Sequence, residues 1–334
     1  MKEDINIVAP FYQNEQLQSL TKNCVKGYKV KGFLLKPMKI SRVINDLLSS
    51  FMMSKINPDI IHETYFLPKT IISPCKARIV TIHDMIHEKF PQYFPRNDSS
   101  TFNKLKAIER ADHIICVSNS TKYDLCNIFN IPSKKISVVY HGSENFTQPN
   151  SKVPFHNDRP FLLHVGGRNI YKNFIQTLKA VAASPELRKT FDIVAFGSGK
   201  FSKDEQAIIR QLKLDEESVK QISGSDKLLS ELYNQATALV YPSMYEGFGL
   251  PILEAMQYGC PVICSKSSSM PEVGGDAAQY FNPTSTEDLS DAIKKVVFNE
   301  THKAELVLKG YKRINLFSWK KCANETLNIY KNLL

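Results

Sequence analysis

The feature that most constrains this chain is an alternation that occurs twice. Short β-branched apolar runs are separated by amphipathic helical stretches, once before and once after a loose segment rich in Pro, Asn and Ser. Apolar runs of roughly four to eight residues interleaved with helical patterns are what parallel strands covered by helices look like in sequence. Before the loose segment, strands are expected at Ile5–Pro10, Asp59–Glu63, Arg78–His83, His113–Ser118 and Ile136–Tyr140. Helices are expected at Ser41–Lys55, Thr101–Arg110 and Thr121–Phe129, the last with Ser120 as its N-cap. After it, strands are expected at Phe161–Val165, Ile193–Phe196, Val219–Ile222, Ala238–Tyr241 and Val262–Cys264. Their helices are Phe174–Ala183, Asp204–Leu212, Lys227–Gln235 and Ile252–Tyr258, and three more close the chain at Thr286–Phe298, His302–Arg313 and Trp319–Leu333.

The loose segment Gly142–Pro160 holds three prolines and reads as an interdomain linker. A chain of 334 residues also exceeds what one hydrophobic core usually organises. The expected class is therefore α/β, with two Rossmann-like domains facing each other across a cleft. The first spans residues 1–150, the second spans 151–317, and a closing helix over 318–334 follows. In such sheets ligands bind beyond the carboxyl ends of the strands, so functional residues are sought there.

Composition removes several classes. No apolar run approaches the roughly 20 residues a membrane-spanning helix needs. The start, Met1–Asp4 followed by Ile5-Asn6-Ile7-Val8, is too short and interrupted for a secretory signal, so a cytoplasmic protein is expected. The seven cysteines are scattered without metal-ligand or redox spacing and read as small buried hydrophobes. The net charge of +10 is concentrated early: residues 1–150 carry 20 Lys and Arg against 13 Asp and Glu. Its densest part is Lys22, Lys26, Lys29, Lys31, Lys36, Lys39 and Arg42. That run reads either as a solvated face or as a contact for a phosphorylated acceptor or the anionic inner membrane. Nucleic acid is not an expected partner, because no aromatic residues interleave with the basic ones as a platform.

The most informative stretch runs from Tyr241 through Glu246-Gly247-Phe248-Gly249-Leu250-Pro251 and Glu254 to Gly259. It leaves a strand and enters a helix, with Pro251 suited to the first helical turn and Gly259 to the helix end. Backbone amides freed around the glycines, under the positive end of the helix dipole, suit an oxygen-rich ligand. Glu246 and Glu254 flank this turn. Carboxylates accept hydrogen bonds from sugar and ribose hydroxyls, so the pair can grip both ends of a nucleotide-sugar. A plain acidic bias at a helix start would explain one glutamate, but not the Gly-Phe-Gly between two.

This segment resembles the E-x7-E motif of retaining GT-B glycosyltransferases of family 4. Gly259-Cys260-Pro261, Met270-Pro271-Glu272-Val273 and Phe317-Ser318-Trp319 extend the resemblance through the second half, and the last implies that the closing helix over 318–334 crosses back to pack on the first domain. It implies that Glu246 contacts the donor sugar, that the backbone of Gly247, Phe248, Gly249 and Leu250 contacts sugar and phosphate, and that Glu254 holds the ribose.

Phe161–Asn173 reads as a strand, a glycine turn at Gly166 and Gly167, and a helix start. Arg168 is placed to bridge two phosphate oxygens, and Lys172 adds a point charge. The resemblance makes them a diphosphate clamp. Gly197-Ser198-Gly199 is by itself an ordinary strand-to-helix turn. By resemblance Gly197 lies near the nucleotide, with Ser225 in the stretch flanking the base, where Gly224-Ser225 departs from the family's usual aromatic.

In the first half, Thr81-Ile82-His83-Asp84 puts a His and an Asp at a strand's end, and Thr81–Pro91 resembles family 4 enzymes of bacterial surface polysaccharide synthesis, many of them mannosyltransferases. His83 matches the family histidine near the reacting carbon, and Asp84, His87 and Glu88 are acceptor-side candidates. Pro10–Glu15 stands where many members have a glycine-rich loop, so acceptor contacts there do not transfer.

The expectation is a retaining transferase in which His83, Glu246, Arg168 and Lys172 act on a nucleotide diphosphate-sugar, with GDP-mannose the first choice. The acceptor is a glycan or an undecaprenyl-diphosphate-linked oligosaccharide, as in O-antigen and lipopolysaccharide synthesis. No cofactor and no metal are expected, because no Asp-x-Asp or His/Cys cluster stands near these stretches. The alternatives are a GT-B enzyme using a UDP- or dTDP-sugar and a catalytically silent nucleotide- or carbohydrate-binding subunit.

Overall fold

The computed structural model describes residues 4–13, 17, 20, 24–30, 38–66, 73–143 and 155–334, without the side chains of residues 38–43. Most of the expected linker, and Lys22, Lys31 and Lys36 of the lysine run, lie outside the described residues. The chain divides into two compact units that are not contiguous in sequence. One holds Met1–Ile82, Ser99–Ile115 and Asn328–Leu334; the other holds His83–Asp98 and Cys116–Leu327.

In the first unit β1 (Ile7–Tyr12) pairs in parallel with β2 (Val25–Lys29), a strand within the lysine run that hydrophobic patterning does not reveal. Only Val25 of β2 is buried, so the apolar signal is one residue long. Helix α1 (Met38–Ile56) is fastened to β1 through Asn45, whose Oδ1 accepts from the Phe11 amide at 2.9 Å while its Nδ2 donates to the Phe11 carbonyl at 3.2 Å. Next come β3 (Ile60–Glu63) and β4 (Ala77–Ile82), parallel with Ile60 opposite Ala77. The short helix α2 (Ile86–Lys89) belongs to the second unit; α3 (Ser100–Arg110) returns to the first and leads to β5 (His113–Cys116), the neighbour of β4. Ile61, Ile79, Ile82 and Ile114 are buried in this sheet. Among them sits one charged pair, Arg110 donating in two places to the Glu63 carboxylate, which supplies the partner a buried carboxylate requires. At the far end of the chain Tyr330 hydrogen-bonds His62, whose other ring nitrogen meets Thr81.

The second unit contains α4 (Asn119–Phe129) and β6 (Ile136–Val138). The cap of α4 is Ser118 rather than the expected Ser120: its hydroxyl accepts from the Thr121 amide at 3.0 Å, so the helix starts earlier than apolar periodicity suggests.

After residue 155 the chain builds a fully parallel six-stranded sheet in the order β12-β11-β10-β7-β8-β9. Its strands are β7 (Phe161–Val165), β8 (Asp192–Phe196), β9 (Val219–Ile222), β10 (Ala238–Tyr241), β11 (Val262–Ser265) and β12 (Ala278–Phe281). Between β7 and β10 lie α5 (Phe174–Ala183), α6 (Pro185–Thr190), α7 (Lys203–Gln211) and α8 (Asp226–Gln235). From β10 onward come α9 (Leu250–Gln257), α10 (Met270–Gly274), α11 (Thr286–Val297), α12 (Glu300–Arg313) and α13 (Trp319–Leu333).

The central strands β7 and β10 read as nearly unbroken apolar runs because both faces of the sheet are covered there. Phe161, Leu163, Val165, Leu239 and Tyr241 enter one core, whereas Leu162, Ala238 and Val240 enter the other. From β7 the order steps outward through β8 and β9, and from β10 it steps the other way through β11 and β12. The switch point, where a parallel sheet opens a crevice beyond its carboxyl ends, therefore lies between β7 and β10. Among the described residues no helix is long and apolar enough to cross a membrane.

Candidate active site

The loops leaving β7 and β10 carry the two charges that meet at this switch point. Lys172, in a single 3-10 turn before α5, places its Nζ 2.7 and 2.9 Å from the two carboxylate oxygens of Glu246. Glu246 is 7% exposed, and the fully buried Tyr241 feels its charge. Burial and then the Glu246 charge push the Tyr241 hydroxyl well above its ordinary range, so it remains a donor.

The backbone around Glu246 is fixed from two sides. The Glu246 amide donates to Ser268 Oγ at 2.8 Å, and the buried Ser269 hydroxyl lies 2.9 and 2.7 Å from the carbonyls of Glu246 and Phe248. From α4, Ser118 Oγ and Thr121 Oγ1 reach the Gly247 carbonyl at 2.7 and 3.2 Å. Gly247 has no room for a side chain, because a Cβ there would stand 1.7 Å from the His83 carbonyl oxygen and 2.9 Å from the Asp84 Cβ. The segment bearing His83 and the loop bearing Glu246 are thus in backbone contact.

Tyr245 reinforces that contact. Its hydroxyl donates to Asp124 Oδ2 at 2.7 Å, and Asp124 Oδ1 accepts from Lys89 Nζ at 2.9 Å, tying α2, α4 and the Glu246 loop to one carboxylate. Helix α9 begins at Leu250 after Gly249, whose φ of +107° suits glycine alone, and no side chain caps it. Glu254, one turn inside, accepts from the buried Tyr233 hydroxyl at 2.8 Å.

His83 stacks on His141, with ring centroids 5.7 Å apart and planes inclined by 23°. His141 follows β6 as His83 follows β4, and sequence reading did not single it out. The signal available was its place just beyond a strand. Burial, and secondarily the His83 charge, lower the His141 imidazole to about 4, so it is neutral at pH 7. Phe248 packs edge-on against it with ring centroids 5.2 Å apart.

Of the acceptor-side candidates, Asp84 accepts from the Ile86 amide at 3.0 Å and starts α2. His87 is not an exposed loop residue: it stacks on Phe94 with centroids 3.9 Å apart and lies 3.8 Å from Asp98. Glu88 follows it on the same helix, half-buried.

On the donor side Gly166, Gly167 and Gly197 lie in the loops after β7 and β8, where the Gly166 amide donates to the Phe196 carbonyl at 3.0 Å. Ser225 is the exposed N-cap of α8, accepting from the Leu228 amide at 3.4 Å. Arg168 is not directed toward Glu246. Its guanidinium turns instead to Glu205 and to the carbonyls of Gly197, Gly199 and Lys200.

Comparison with known proteins gives the family and the fold. The glycosyl transferases group 1 family matches residues 146–313, and the Glycosyltransferase Family 4 description matches residues 4–144. O-antigen chain mannosyltransferase B of Escherichia coli is 28% identical over 281 residues, which is 80% of this chain and 73% of that protein. O-antigen chain mannosyltransferase RfbU of Salmonella typhimurium is 31% identical over 226 residues, covering 66% of this chain and 61% of its own length. Among solved structures, sucrose-phosphate synthase from Thermosynechococcus elongatus superposes with a TM-score of 0.76 at 18% identity, covering 94% of this chain and 84% of that one. An acidic loop entering a helix at the switch point of a parallel sheet, together with a family match over half the chain, places the molecule: it belongs to the glycosyl transferases group 1 family and is a family 4 glycosyltransferase of the GT-B fold.

Proposed function

We propose that this enzyme moves mannose from GDP-mannose, with retention at the anomeric carbon, onto a glycan or lipid-diphosphate-linked acceptor of a bacterial surface polysaccharide. The observation that carries the reading is the Lys172–Glu246 pair at the switch point, with Glu254 one turn into α9. A diphosphate competes with Glu246 for Lys172; once Lys172 turns to phosphate oxygens, the carboxylate is released to accept sugar hydroxyls. Lys172 and the uncapped start of α9 then stabilise the negative charge that develops on the leaving diphosphate. Glu254, held by Tyr233, takes the ribose hydroxyls. His83 and the neutral His141 stand beside Gly247, where the reacting sugar would lie, and supply hydrogen-bonding groups to it.

The choice of mannose rests on the two relatives, both named as O-antigen chain mannosyltransferases. The lysine-rich first 150 residues suit a diphosphate-linked acceptor at an anionic membrane surface. The test is transfer of radiolabel from GDP-mannose, UDP-glucose and dTDP-rhamnose to a lipid-linked oligosaccharide extract, with and without EDTA. Incorporation from GDP-mannose alone, undiminished by EDTA, is expected. Incorporation from a UDP- or dTDP-sugar instead would replace the donor assignment, and dependence on added Mn²⁺ would overturn the role given to Lys172.

A further inference from the structure

Arg168 follows β7 by three residues, yet it is spent inside the protein. Its side chain is 5% exposed. Nε donates to Glu205 Oε1 at 2.6 Å, Nη1 to the Gly197 carbonyl at 3.0 Å, and Nη2 to the carbonyls of Gly199 and Lys200 at 2.9 and 3.2 Å. The Phe201 ring covers the guanidinium, its centroid 4.8 Å from Cζ. Glu205 is itself fixed on α7, where Ser202 and Glu205 form a reciprocal capping box. Burial alone would raise the Glu205 carboxyl, but the hydrogen bonds from Arg168 and the Ser202 backbone outweigh it and hold the group below the ordinary carboxylate range.

Three carbonyls converge on one guanidinium only if the chain folds back on itself, and it does so through three successive left-handed residues: Gly197 at φ +100°, Ser198 at +58° and Gly199 at +68°. For Ser198 that conformation is strained, and no glycine freedom relieves it. The planar fork of Arg168 holds the turn closed, and Gln221 Nε2 adds a bond to the Gly197 carbonyl at 3.1 Å. The loop is thereby pressed against the β7 loop, close enough that a Cβ on Gly197 would lie 3.3 Å from the Gly166 carbonyl oxygen. Turning Arg168 toward a ligand would break four hydrogen bonds and strip Glu205 of its buried partner.

We infer that Arg168 and Glu205 act together as positioning residues that hold the Gly197–Gly199 loop in shape as one wall of the nucleotide site, and that Arg168 does not itself grip the diphosphate. The inference rests on the donor-site reading given above. The sugar nucleotide meets the loop, and the loop meets Arg168.

The test uses the full chain carrying R168K, R168A or E205Q, with GDP, GMP and guanosine titrated calorimetrically and GDP-mannose kinetics measured in parallel. R168A and E205Q are each expected to weaken all three ligands by about the same factor, on the order of tenfold, leaving the GDP-to-guanosine ratio within twofold of the original. The donor KM should rise by a similar factor while kcat stays within twofold. A loss of folded protein alone would instead lower kcat at constant KM. R168K should resemble R168A, since one ammonium cannot span three carbonyls, and the double variant R168A/E205Q should be no worse than either single one.

A selective collapse of GDP binding toward the guanosine level in R168A, with E205Q unaffected, would overturn the inference and return Arg168 to the diphosphate. If the unaltered protein binds none of these ligands, the donor reading fails. Amide exchange across residues 196–201 then decides the loop role alone. Faster exchange in both R168A and E205Q would sustain it, and unchanged exchange would refute it.

Discussion

Replacing Gly247 by alanine tests whether the His83 segment and the Glu246 loop must touch for catalysis. The backbone there does not require glycine, because Gly247 is not among the residues with positive φ, so the effect of a methyl group is one of space alone. The added Cβ would sit 1.7 Å from the His83 carbonyl oxygen, whereas a relaxed carbon–oxygen contact needs well over 3 Å. One segment must therefore retreat by on the order of 1.5 Å in a close-packed region. Neither yields easily. The Gly247 carbonyl is held by Ser118 and Thr121, and the flanking Glu246 and Phe248 carbonyls by Ser269. Overpacking of this kind costs roughly 1–3 kcal/mol of stability. A misplacement of about 1 Å between reacting groups costs roughly 100-fold in rate, equivalent to about 2.7 kcal/mol of activation free energy. The expected result is kcat down about 100-fold, with nucleoside diphosphate affinity changed by less than about threefold because Lys172 and Glu254 are not displaced. Steady-state transfer kinetics and calorimetric titration with GDP read the two quantities separately. A variant that turns over at the original rate with an unchanged melting temperature would refute the claim that this contact sets catalytic geometry.

Three further outcomes are expected. Lys172→Ala leaves the Glu246 carboxylate buried without its cation and should cost about 3–5 kcal/mol in denaturant unfolding. Adding Glu246→Gln to it should recover most of that loss, and equal instability of the single and double variants would contradict the pairing. Tyr233→Phe removes the hydrogen bond to Glu254 and should weaken GDP binding about fivefold, the equivalent of about 1 kcal/mol, while leaving kcat unchanged; unaltered affinity would remove Glu254 from the ribose. His141 and the fully buried His164 are both lowered to about 4, chiefly by burial. Between pH 4 and about 6.5 the unfolded chain binds protons that the folded one does not, so stability falls as pH drops through that window, by at most roughly 3 kcal/mol per histidine. Melting temperatures recorded from pH 7 to 4 should show a loss that His164→Gln reduces; an identical acid limb in the variant would show that His164 does not contribute.

What the sequence revealed follows how local each signal was. Phe161–Val165 and Ala238–Tyr241 stand in the structure as they read in the chain, because strands buried on both faces are continuous apolar runs. The strands β2 and β12 escaped notice for the opposite reason. Both are edge strands, and Val-Lys-Gly-Tyr-Lys and Ala-Gln-Tyr-Phe bury too little to leave a pattern. At the site, Glu246, Gly247 and Glu254 were legible because one strand-loop-helix carries them all. The direction of Arg168 was not: Glu205 lies 37 residues away in sequence, and nothing between them announces the pair. The same holds for Asp124, which meets Tyr245 across 121 residues, and for Ser269, whose bonds go to carbonyls that sequence cannot place.

The groups missed in this way share a physical task that explains their chemistry. A loop that turns sharply from β10 into α9 leaves the carbonyls of Glu246, Gly247 and Phe248 buried and outside any helix or strand. Each such group left without a donor would cost about 1–3 kcal/mol, so apolar packing alone cannot hold the loop. Ser118, Thr121 and Ser269 supply the donors, and Ser118, Thr121 and Asp124 recur at three-residue spacing, which sets them on one face of α4. Asp124 goes further by accepting from Lys89 and Tyr245 at once, so a movement of α2 is transmitted to the residue next to Glu246. Transfer of a sugar needs charge stabilised where it develops by groups that do not reorganise during the step. Short hydroxyl side chains with little rotamer freedom meet that need better than long ones. The two cations differ in the same way. Arg168, rigid and forked, holds carbonyls in place; on the proposed function Lys172, a point charge, would exchange its carboxylate partner for an incoming phosphate.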